Sequence, residues 1–190
     1  VPRYMVLERT TLDSKIRHLG LPAVIKPAAH GSSIGLSIID KEEGLRSAID
    51  LAFTFDQRVI IEEYIKGREV TVGILDECVL PVIEIVPKKM FFDYEAKYQP
   101  GLTDYIAPAK LEEGICGKIK EAALMAHKLL GCFGCSRVDM ILNRGGLPYV
   151  LEVNTIPGLT TTSLLPKAAK CAGIEFNELC LRLIELAYRQ

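Results

Sequence analysis

The chain reads Ser136-Arg137-Val138-Asp139-Met140 and, further on, Val150-Leu151-Glu152-Val153-Asn154. Both stretches alternate polar and apolar side chains, which is typical of a β-strand with one buried face. The segment between them contains Asn143-Arg144-Gly145-Gly146, a strong signal for chain reversal. The sequence therefore predicts an antiparallel hairpin.

Folding the hairpin about its two glycines places Asp139 opposite Glu152 and Arg137 opposite Asn154. Two carboxylates at cross-strand distance repel each other, and a divalent cation between them would remove that repulsion. Hard oxygen ligands suit Mg²⁺, so Asp139, Glu152 and Asn154 are the candidate metal ligands. The alternative is a surface hairpin whose polar face carries ion pairs between Arg137 and the two acids.

The composition indicates a globular protein of 190 residues, with 49% hydrophobic and 25% charged residues and a formal net charge of -1. This charge balance, without a dense Lys/Arg block, argues against nucleic-acid and acidic-membrane binding. No apolar run approaches the roughly 18 residues that span a bilayer. The start at Val1 has neither a secretory signal nor an initiator Met, so the chain reads as a fragment of a cytoplasmic protein.

The six cysteines lie within apolar patterns, which favours reduced thiols over disulfides. Cys132 and Cys135 have C-x-x-C spacing, but the absence of a second Cys/His pair argues against zinc.

Alternating strand and helix patterns run along the chain, and the predicted fold class is α/β in the α+β sense. The predicted strands are 4–7, 23–27, 36–39, 59–63, 69–75 and 79–86. The predicted helices are 11–19, 41–54 with Asp40 as N-cap, 112–130 ending at Gly131, 163–172 and 175–189. The segment 88–110 has no sustained period, and we expect a functional loop there. The break at Lys66-Gly67-Arg68 marks a boundary between two lobes.

A second candidate segment is Lys26-Pro27-Ala28-Ala29-His30-Gly31-Ser32-Ser33-Ile34-Gly35. A lysine at the end of a strand, followed by a small-residue loop, offers positive charge, backbone N–H groups and hydroxyls to phosphate oxygens. The order of residues differs from that of a P-loop. The alternative is a glycine-rich hairpin turn.

A third segment, Glu62-Glu63-Tyr64-Ile65, ends the first lobe, and Glu69 follows shortly after it. Backbone groups in such a linker are placed to bind an adenine, and a carboxylate such as Glu69 suits ribose hydroxyls. The alternative is a set of solvated surface acids.

These motifs, together with Phe92-Asp93-Tyr94-Glu95-Ala96-Lys97-Tyr98 and Glu152-Val153-Asn154-Thr155-Ile156-Pro157-Gly158, resemble in order and spacing the D-alanine–D-alanine ligases of the ATP-grasp superfamily. The resemblance covers nearly all of the chain. It implies an ATP-grasp fold with two lobes, each with an antiparallel sheet and flanking helices. Residues 1–66 would be part of the central lobe, and residues 67–190 the C-terminal lobe with the catalytic loop and metal site.

The resemblance also implies roles for individual residues. ATP would be bound through its phosphates by Lys26 and Lys97, through adenine by Glu62, Glu63, Tyr64 and Ile65, and through ribose by Glu69. Two Mg²⁺ ions, or Mn²⁺ in their place, would be held by Asp139, Glu152 and Asn154. The remaining roles are an acyl-phosphate contact for Arg137, an oxyanion donor for Gly158, acceptor-carboxylate binding for Ser163 and Leu164, and loop closure for Ser32 with Tyr98.

The implied reaction joins two D-alanines through an acyl phosphate and serves peptidoglycan precursor synthesis. The family's N-terminal domain, which carries the first D-alanine site, is absent from the sequence, so we expect the fragment alone to be inactive. His30 stands where the family usually has an acid. Members of the family are commonly homodimers, and the partners expected here are D-alanine, ATP and the missing domain.

Three alternatives stay open. The first is a D-alanine–D-serine ligase. D-lactate is not the expected acceptor, because Glu95-Ala96-Lys97-Tyr98 resembles the dipeptide-forming version of the family. The second is an ATP-grasp ligase that joins another carboxylate to an amine. The third is a non-catalytic nucleotide-binding module, which would have no chemical need for Arg137, both metal acids and Gly158.

Overall fold

A computed structural model of the protein describes residues 1–9, 20–87 and 103–189. The chain divides into two compact units, one built on Val1–Ile65 and the other on Lys66–Val86 with Thr103–Gln190. Three expectations lie outside the described residues: the helix at 11–19, the roles of Lys97 and Tyr98, and most of the loop at 88–110.

The first unit is an antiparallel sheet with a helix packed on it. Its strands are β1 (Tyr4–Glu8), β2 (Ala23–Pro27), β3 (Ser37–Ile39) and β4 (Arg58–Glu63), in the order β1-β4-β2-β3. Helix α1 (Leu45–Phe55) places apolar residues at helical spacing against this sheet. The core they form contains Leu7, Ile25, Ile49, Phe53, Val59 and Ile61.

Helix α1 begins later than the sequence predicts. A short 3-10 helix occupies Glu42–Gly44, and the N-cap of α1 is Gly44 with no side-chain capping hydrogen bond. The prediction of Asp40 as N-cap is therefore wrong. The tight turn, in which Gly44 N–H donates to the Lys41 carbonyl at 3.2 Å, takes up the residues that were expected to form the first helical turn.

The second unit is a larger sheet with the order β10-β9-β5-β7-β8, in which β6 also pairs with β5. The strands are β5 (Gly67–Leu75), β6 (Cys78–Val79), β7 (Ile83–Pro87), β8 (Thr103–Ile106), β9 (Cys135–Asn143) and β10 (Pro148–Asn154). The helices are α2 (Glu113–Leu129), α3 (Leu164–Cys171) and α4 (Phe176–Ala187). The antiparallel sheets and helices confirm the predicted α+β fold class.

Helices cover both faces of this sheet. On one face, Val70, Val72, Val138 and Met140 pack with Ile119 and Ala123 of α2. On the other face, Leu75 and Ile83 pack with Leu165 of α3 and Leu179 of α4. Side chains alternate along a strand, so Glu69, Thr71, Arg137 and Asp139 lie on the face that carries α3 and α4.

Two strand predictions in this unit are wrong in detail. The predicted strand 79–86 is broken into β6 and β7, because Pro81 between them has no N–H to donate to a strand ladder. The predicted loop 88–110 contains strand β8 at Thr103–Ile106, which pairs with β7.

None of the helices in the described ranges combines the length and apolar character needed to cross a bilayer.

Candidate functional site

The site is built on the β9–β10 hairpin. Asp139 is paired with Glu152 and Arg137 with Asn154, which confirms the predicted register. Asn143 closes the turn, because its Oδ1 accepts hydrogen bonds from the N–H groups of Gly145 and Leu147, both at 2.9 Å.

The register arises from a β-bulge rather than from the turn alone. Next to the turn, Val150 pairs with Met140, and the following pair is Glu152 with Asp139, so Leu151 is an extra residue. The bulge therefore lets Val150 pack on the apolar core with α2 while Glu152, two residues later, points to the opposite face. Without it, one of these two side chains would lie on the wrong face.

Asp139 is the most firmly held carboxylate of the site. Arg137 donates from Nε to Oδ1 at 2.9 Å and from Nη2 to Oδ2 at 2.7 Å, and Thr71 Oγ1 donates to Oδ1 at 2.6 Å. Asp139 is only 7% exposed. The ion pair foreseen in the surface-hairpin alternative thus exists. A carboxylate has about four lone-pair sites, so these three bonds leave Asp139 able to accept a further ligand.

The other two candidate metal ligands lie on β10. Glu152 is exposed, and Asn154 is half-buried with its Oδ1 accepting from the Ile156 N–H at 3.0 Å. Within the described ranges, no group of three or more His, Cys, Asp or Glu side chains is arranged to hold a metal ion. The candidate set has two acids and an amide, so its fit to a metal rests on the hard oxygen chemistry of its donors.

Glu69 and Tyr105 belong to the same face of the sheet. Glu69 pairs with Ile141 of β9 and Ile85 of β7. Burial raises the pKa of Tyr105, and the charge of Glu69 raises it further, while Arg137 acts in the opposite direction. Glu69 and Arg137 are thus each close enough to Tyr105 to act on its charge state.

A loop rich in hydroxyl groups leads into α3. Ser163 Oγ lies 2.8 Å from Thr160 Oγ1 and accepts from the Thr160 N–H at 3.2 Å. A Cβ at Gly158 would lie 2.9 Å from Ser163 Oγ, so a larger residue there would displace the serine hydroxyl. Ser163 is the N-cap residue of α3, yet its side chain makes no capping bond there. Its hydroxyl is directed to Thr160 instead, and the first helical residue is Leu164.

In the first unit, Lys26 and Glu62 form a half-buried ion pair at 2.9 Å, on the neighbouring strands β2 and β4. Glu63 is paired with Arg3 at 2.6 Å. The backbone N–H groups of Glu63 and Tyr64 already donate to the carbonyls of Arg3 and Pro22. Within the segment 62–65 that was predicted to contact adenine, the backbone of Ile65 is therefore the best candidate for a hydrogen bond to the base.

The loop after Lys26 is strained at two serines. Ser32 and Ser33 have φ values of 56° and 60°, in the left-handed region that side chains rarely adopt. Asp56 anchors the start of the loop, since its Oδ2 accepts from the Ala29 N–H at 2.6 Å. Hydrogen bonds from the backbone of Arg58 and Ala29 lower the pKa of Asp56.

Sequence reasoning missed Thr71, Tyr105, Lys167 and Asp56. Thr71 could have been found, because it carries a hydroxyl in the middle of the apolar run of β5. The other three have no local signal. Lys97 and Tyr98 lie outside the described residues, and all other predicted site residues are divided between the two units.

The sequence matches a family of known proteins. Residues 2–185 match the model of the family described as "D-ala D-ala ligase C-terminus". A D-alanine–D-alanine ligase of Geotalea uraniireducens (strain Rf4) is 47% identical over 167 residues, which cover 88% of this chain and 54% of that relative. The chain thus spans about half the length of the curated relatives it matches.

Solved structures are similar over the whole chain. The D-alanine–D-alanine ligase from Bacillus anthracis has a TM-score of 0.88 and 39% identity, covering 100% of this chain and 62% of that one. Its complex with ATP gives a TM-score of 0.85 at 35% identity, with 100% and 60% covered. The VanG D-Ala:D-Ser ligase from Enterococcus faecalis gives 0.87 at 37% identity, with 98% and 56% covered.

Proposed function

The chain belongs to the family of the D-alanine–D-alanine ligase C-terminus, and from this membership we propose that the complete protein joins two D-alanines into D-alanyl-D-alanine with conversion of ATP to ADP. The product would serve peptidoglycan precursor synthesis in the cytoplasm. The observation that carries this proposal is the β9–β10 hairpin, which presents Arg137, Asp139, Glu152 and Asn154 together on one face.

The reaction proceeds in two steps. The carboxylate of the first D-alanine attacks the γ-phosphate of ATP, the bond between the γ-phosphorus and the β,γ-bridging oxygen breaks, and ADP leaves with an acyl phosphate formed. This activation is needed because a free carboxylate at neutral pH is too poor an electrophile for an amine. The amine of the second D-alanine then attacks the acyl phosphate, and phosphate leaves. Bound Mg²⁺ neutralises charge that develops on the phosphates, and Asp139, Glu152 and Asn154 are the residues that would hold it.

Arg137 is held in place before any substrate binds. Its bidentate pair with Asp139 fixes the guanidinium at β9. A fixed cation can stabilise the negative charge of the acyl phosphate and of the tetrahedral intermediate without reorganising during the reaction. The backbone N–H of Gly158 would add an oxyanion donor, and Ser163 with Leu164 would bind the carboxylate of the acceptor.

The nucleotide contacts follow the same assignment. Lys26 would exchange its ion pair with Glu62 for contact with ATP phosphates, and Lys97 would add a second cation. Glu62, Glu63, Tyr64 and Ile65 frame adenine, and Glu69 binds ribose. Ser32 and Tyr98 form the hydroxyl pair that closes the loop over the substrates. We keep 1–66 and 67–190 as the lobes of the ligase, and a homodimer as its assembly.

D-serine is the second candidate for the acceptor. The VanG D-Ala:D-Ser ligase and the D-alanine–D-alanine ligase of Bacillus anthracis resemble this chain almost equally. Fold similarity therefore does not decide between the two acceptors.

A phosphate-release assay on the complete natural protein tests the proposal. With ATP and Mg²⁺, we expect release that depends strictly on D-alanine and yields D-alanyl-D-alanine by mass spectrometry. D-serine added to D-alanine should not raise the rate, and D-lactate should give no mixed product. Release without D-alanine, or with a different carboxylate only, would identify another ATP-grasp ligase.

A further inference from the structure

Lys167 is a half-buried lysine on α3 that none of the roles above uses. Its Nζ lies 4.4 Å from the centroid of the Tyr105 ring. The same ammonium donates a hydrogen bond to the Thr162 carbonyl. Lys167 therefore connects the hydroxyl-rich loop before α3 with the aromatic ring on β8.

No acid of the described ranges forms an ion pair with Lys167. Burial lowers the pKa of Lys167. A partly buried ammonium is costly unless other groups stabilise it, and a cation–π contact offsets only part of that cost. The positive charge is therefore available to an anion that binds nearby.

The loop that Lys167 contacts is the one assigned to the acceptor. The Thr162 carbonyl belongs to the peptide group that precedes Ser163, whose hydroxyl is bonded to Thr160. Tyr105, under the ammonium, is within electrostatic range of Arg137. Lys167 thus lies in the same unit and beside the same loop as the groups that would bind the second amino acid.

We propose that Lys167 positions the Thr160–Ser163 loop through the Thr162 carbonyl and makes the acceptor site select amino acids with a free carboxylate. This inference rests on the proposed ligase function and deepens it. Selection follows from charge: an acceptor with a carboxylate gains attraction from the Lys167 ammonium, and a neutral acceptor of the same size does not.

The alternative is that Lys167 only packs, with its aliphatic stem against Tyr105. Replacement by methionine keeps the length and apolar stem but removes the charge and the hydrogen bond. A role in packing alone would then leave the choice between acceptors unchanged.

A competition between two acceptors in the complete natural protein distinguishes acceptor selection by Lys167 from a role in packing alone. D-alanine and D-alaninamide are supplied together with ATP and Mg²⁺, and the two products are quantified by mass spectrometry. D-alaninamide lacks a carboxylate and serves only as acceptor, so the product ratio reports acceptor selection alone. We expect Lys167→Met to lower the preference for D-alanine about tenfold, the effect of losing one charge-assisted contact.

Two matched variants serve as controls. Lys167→Arg keeps the cation and should retain most of the preference. Lys170→Met removes a charge from an exposed position of the same helix and should behave as the wild type. If Lys167→Met is not folded by circular dichroism, Lys167→Gln takes its place in the same competition.

The outcomes are distinct. An unchanged product ratio in the folded Lys167 variant would overturn the inference while leaving the ligase function in place. A wild-type protein that forms neither product and no ADP would instead overturn the proposed function.

Discussion

At the scale of single residues, Asp139 shows how the site is preorganised. Three donated hydrogen bonds from Arg137 and Thr71 hold a carboxylate that is almost fully buried. Burying a charge in this way is favourable only when partners compensate it, so the arginine and the threonine stabilise the fold as well as orienting the Asp139 carboxylate.

Thr71→Val should lower the free energy of unfolding by about 1.5–3 kcal/mol, the usual contribution of a hydrogen bond to a charged group. Valine has nearly the same shape but leaves Asp139 Oδ1 with one donor fewer. Chemical denaturation measures the effect. Thr54→Val, at an exposed position of α1, is the control, and equal effects of the two substitutions would contradict this account.

Glu152→Gln should abolish Mg²⁺-dependent ligation in the complete protein, with a loss of about 10²-fold or more in turnover. Glu152 is exposed, so the neutral amide should leave the fold intact while removing a charge from the metal ligands. ADP formation over a Mg²⁺ titration provides the measurement, and Glu185→Gln on α4 is a matched control. Near-normal turnover would refute the assignment of Glu152.

At the scale of secondary structure elements, β9 connects the site hairpin to the rest of the second unit. It pairs with both β5 and β10 and is tied to α2 by a buried contact between His127 Nδ1 and Ser136 Oγ at 2.7 Å. Ser136 directly precedes Arg137, so the contact also anchors the strand next to the site.

The buried histidine predicts a pH dependence of stability. Burial, and secondarily the charge of Lys128, lower the pKa of His127 below its usual 6.5. The unfolded chain therefore takes up a proton at a higher pH than the folded protein does. Stability is fully present above about pH 6.5 and falls as the pH decreases through the lowered folded pKa.

Denaturation at a series of pH values tests this. We expect His127→Gln to flatten the loss of stability between about pH 7 and pH 5. Identical slopes in the wild type and in His127→Gln would show that His127 does not titrate differently in the folded and unfolded states.

Gly67 allows β5 to approach β9. A Cβ at this position would lie 2.1 Å from the Leu142 carbonyl oxygen, a backbone atom that cannot move without disrupting the ladder. Gly67→Ala should therefore cost about 1–3 kcal/mol, as overpacking does. Gly114→Ala is the matched control: nothing lies within 4 Å of its Cβ, and alanine in α2 should stabilise by about 0.4–1 kcal/mol. Thermal unfolding distinguishes the two signs, and a neutral Gly67→Ala would contradict the close approach.

At the scale of the whole molecule, the candidate residues belong to two compact units. Lys26 and the Glu62–Ile65 segment belong to the first, and the proposed metal ligands, Arg137 and the loop proposed to bind the acceptor belong to the second. The chain corresponds to about half of its curated relatives.

For the 190-residue chain alone, we expect weak Mg–ATP binding and no useful rate of dipeptide synthesis. The chain spans about half the length of the curated relatives it matches, so under the proposed function part of the substrate site would be formed by residues outside these 190. Calorimetric titration with Mg–ATP and a product assay with D-alanine provide the readouts. Robust synthesis of D-alanyl-D-alanine by the purified chain would prove this expectation wrong.

The sequence by itself determined the features that depend on neighbouring residues. Alternation and turn chemistry were enough to identify β9, β10 and the turn between them, because side-chain direction and chain reversal are set within a few residues. Helices α2 to α4 were predicted for the same reason. The pairing of Asp139 with Glu152 was predicted correctly, but it also depends on the bulge.

Only the tertiary structure decided the features that join distant parts of the chain. The bulge at Leu151 depends on which face of the sheet packs against α2. Asp139 accepts a hydrogen bond from Thr71 on another strand, and β8 forms by pairing with the edge of β7. The contact between Lys167 and the Tyr105 ring also joins residues that are distant in the sequence. Such contacts form between residues far apart in sequence. Their free energy is gained only when the elements pack together, so no local sequence pattern predicts them.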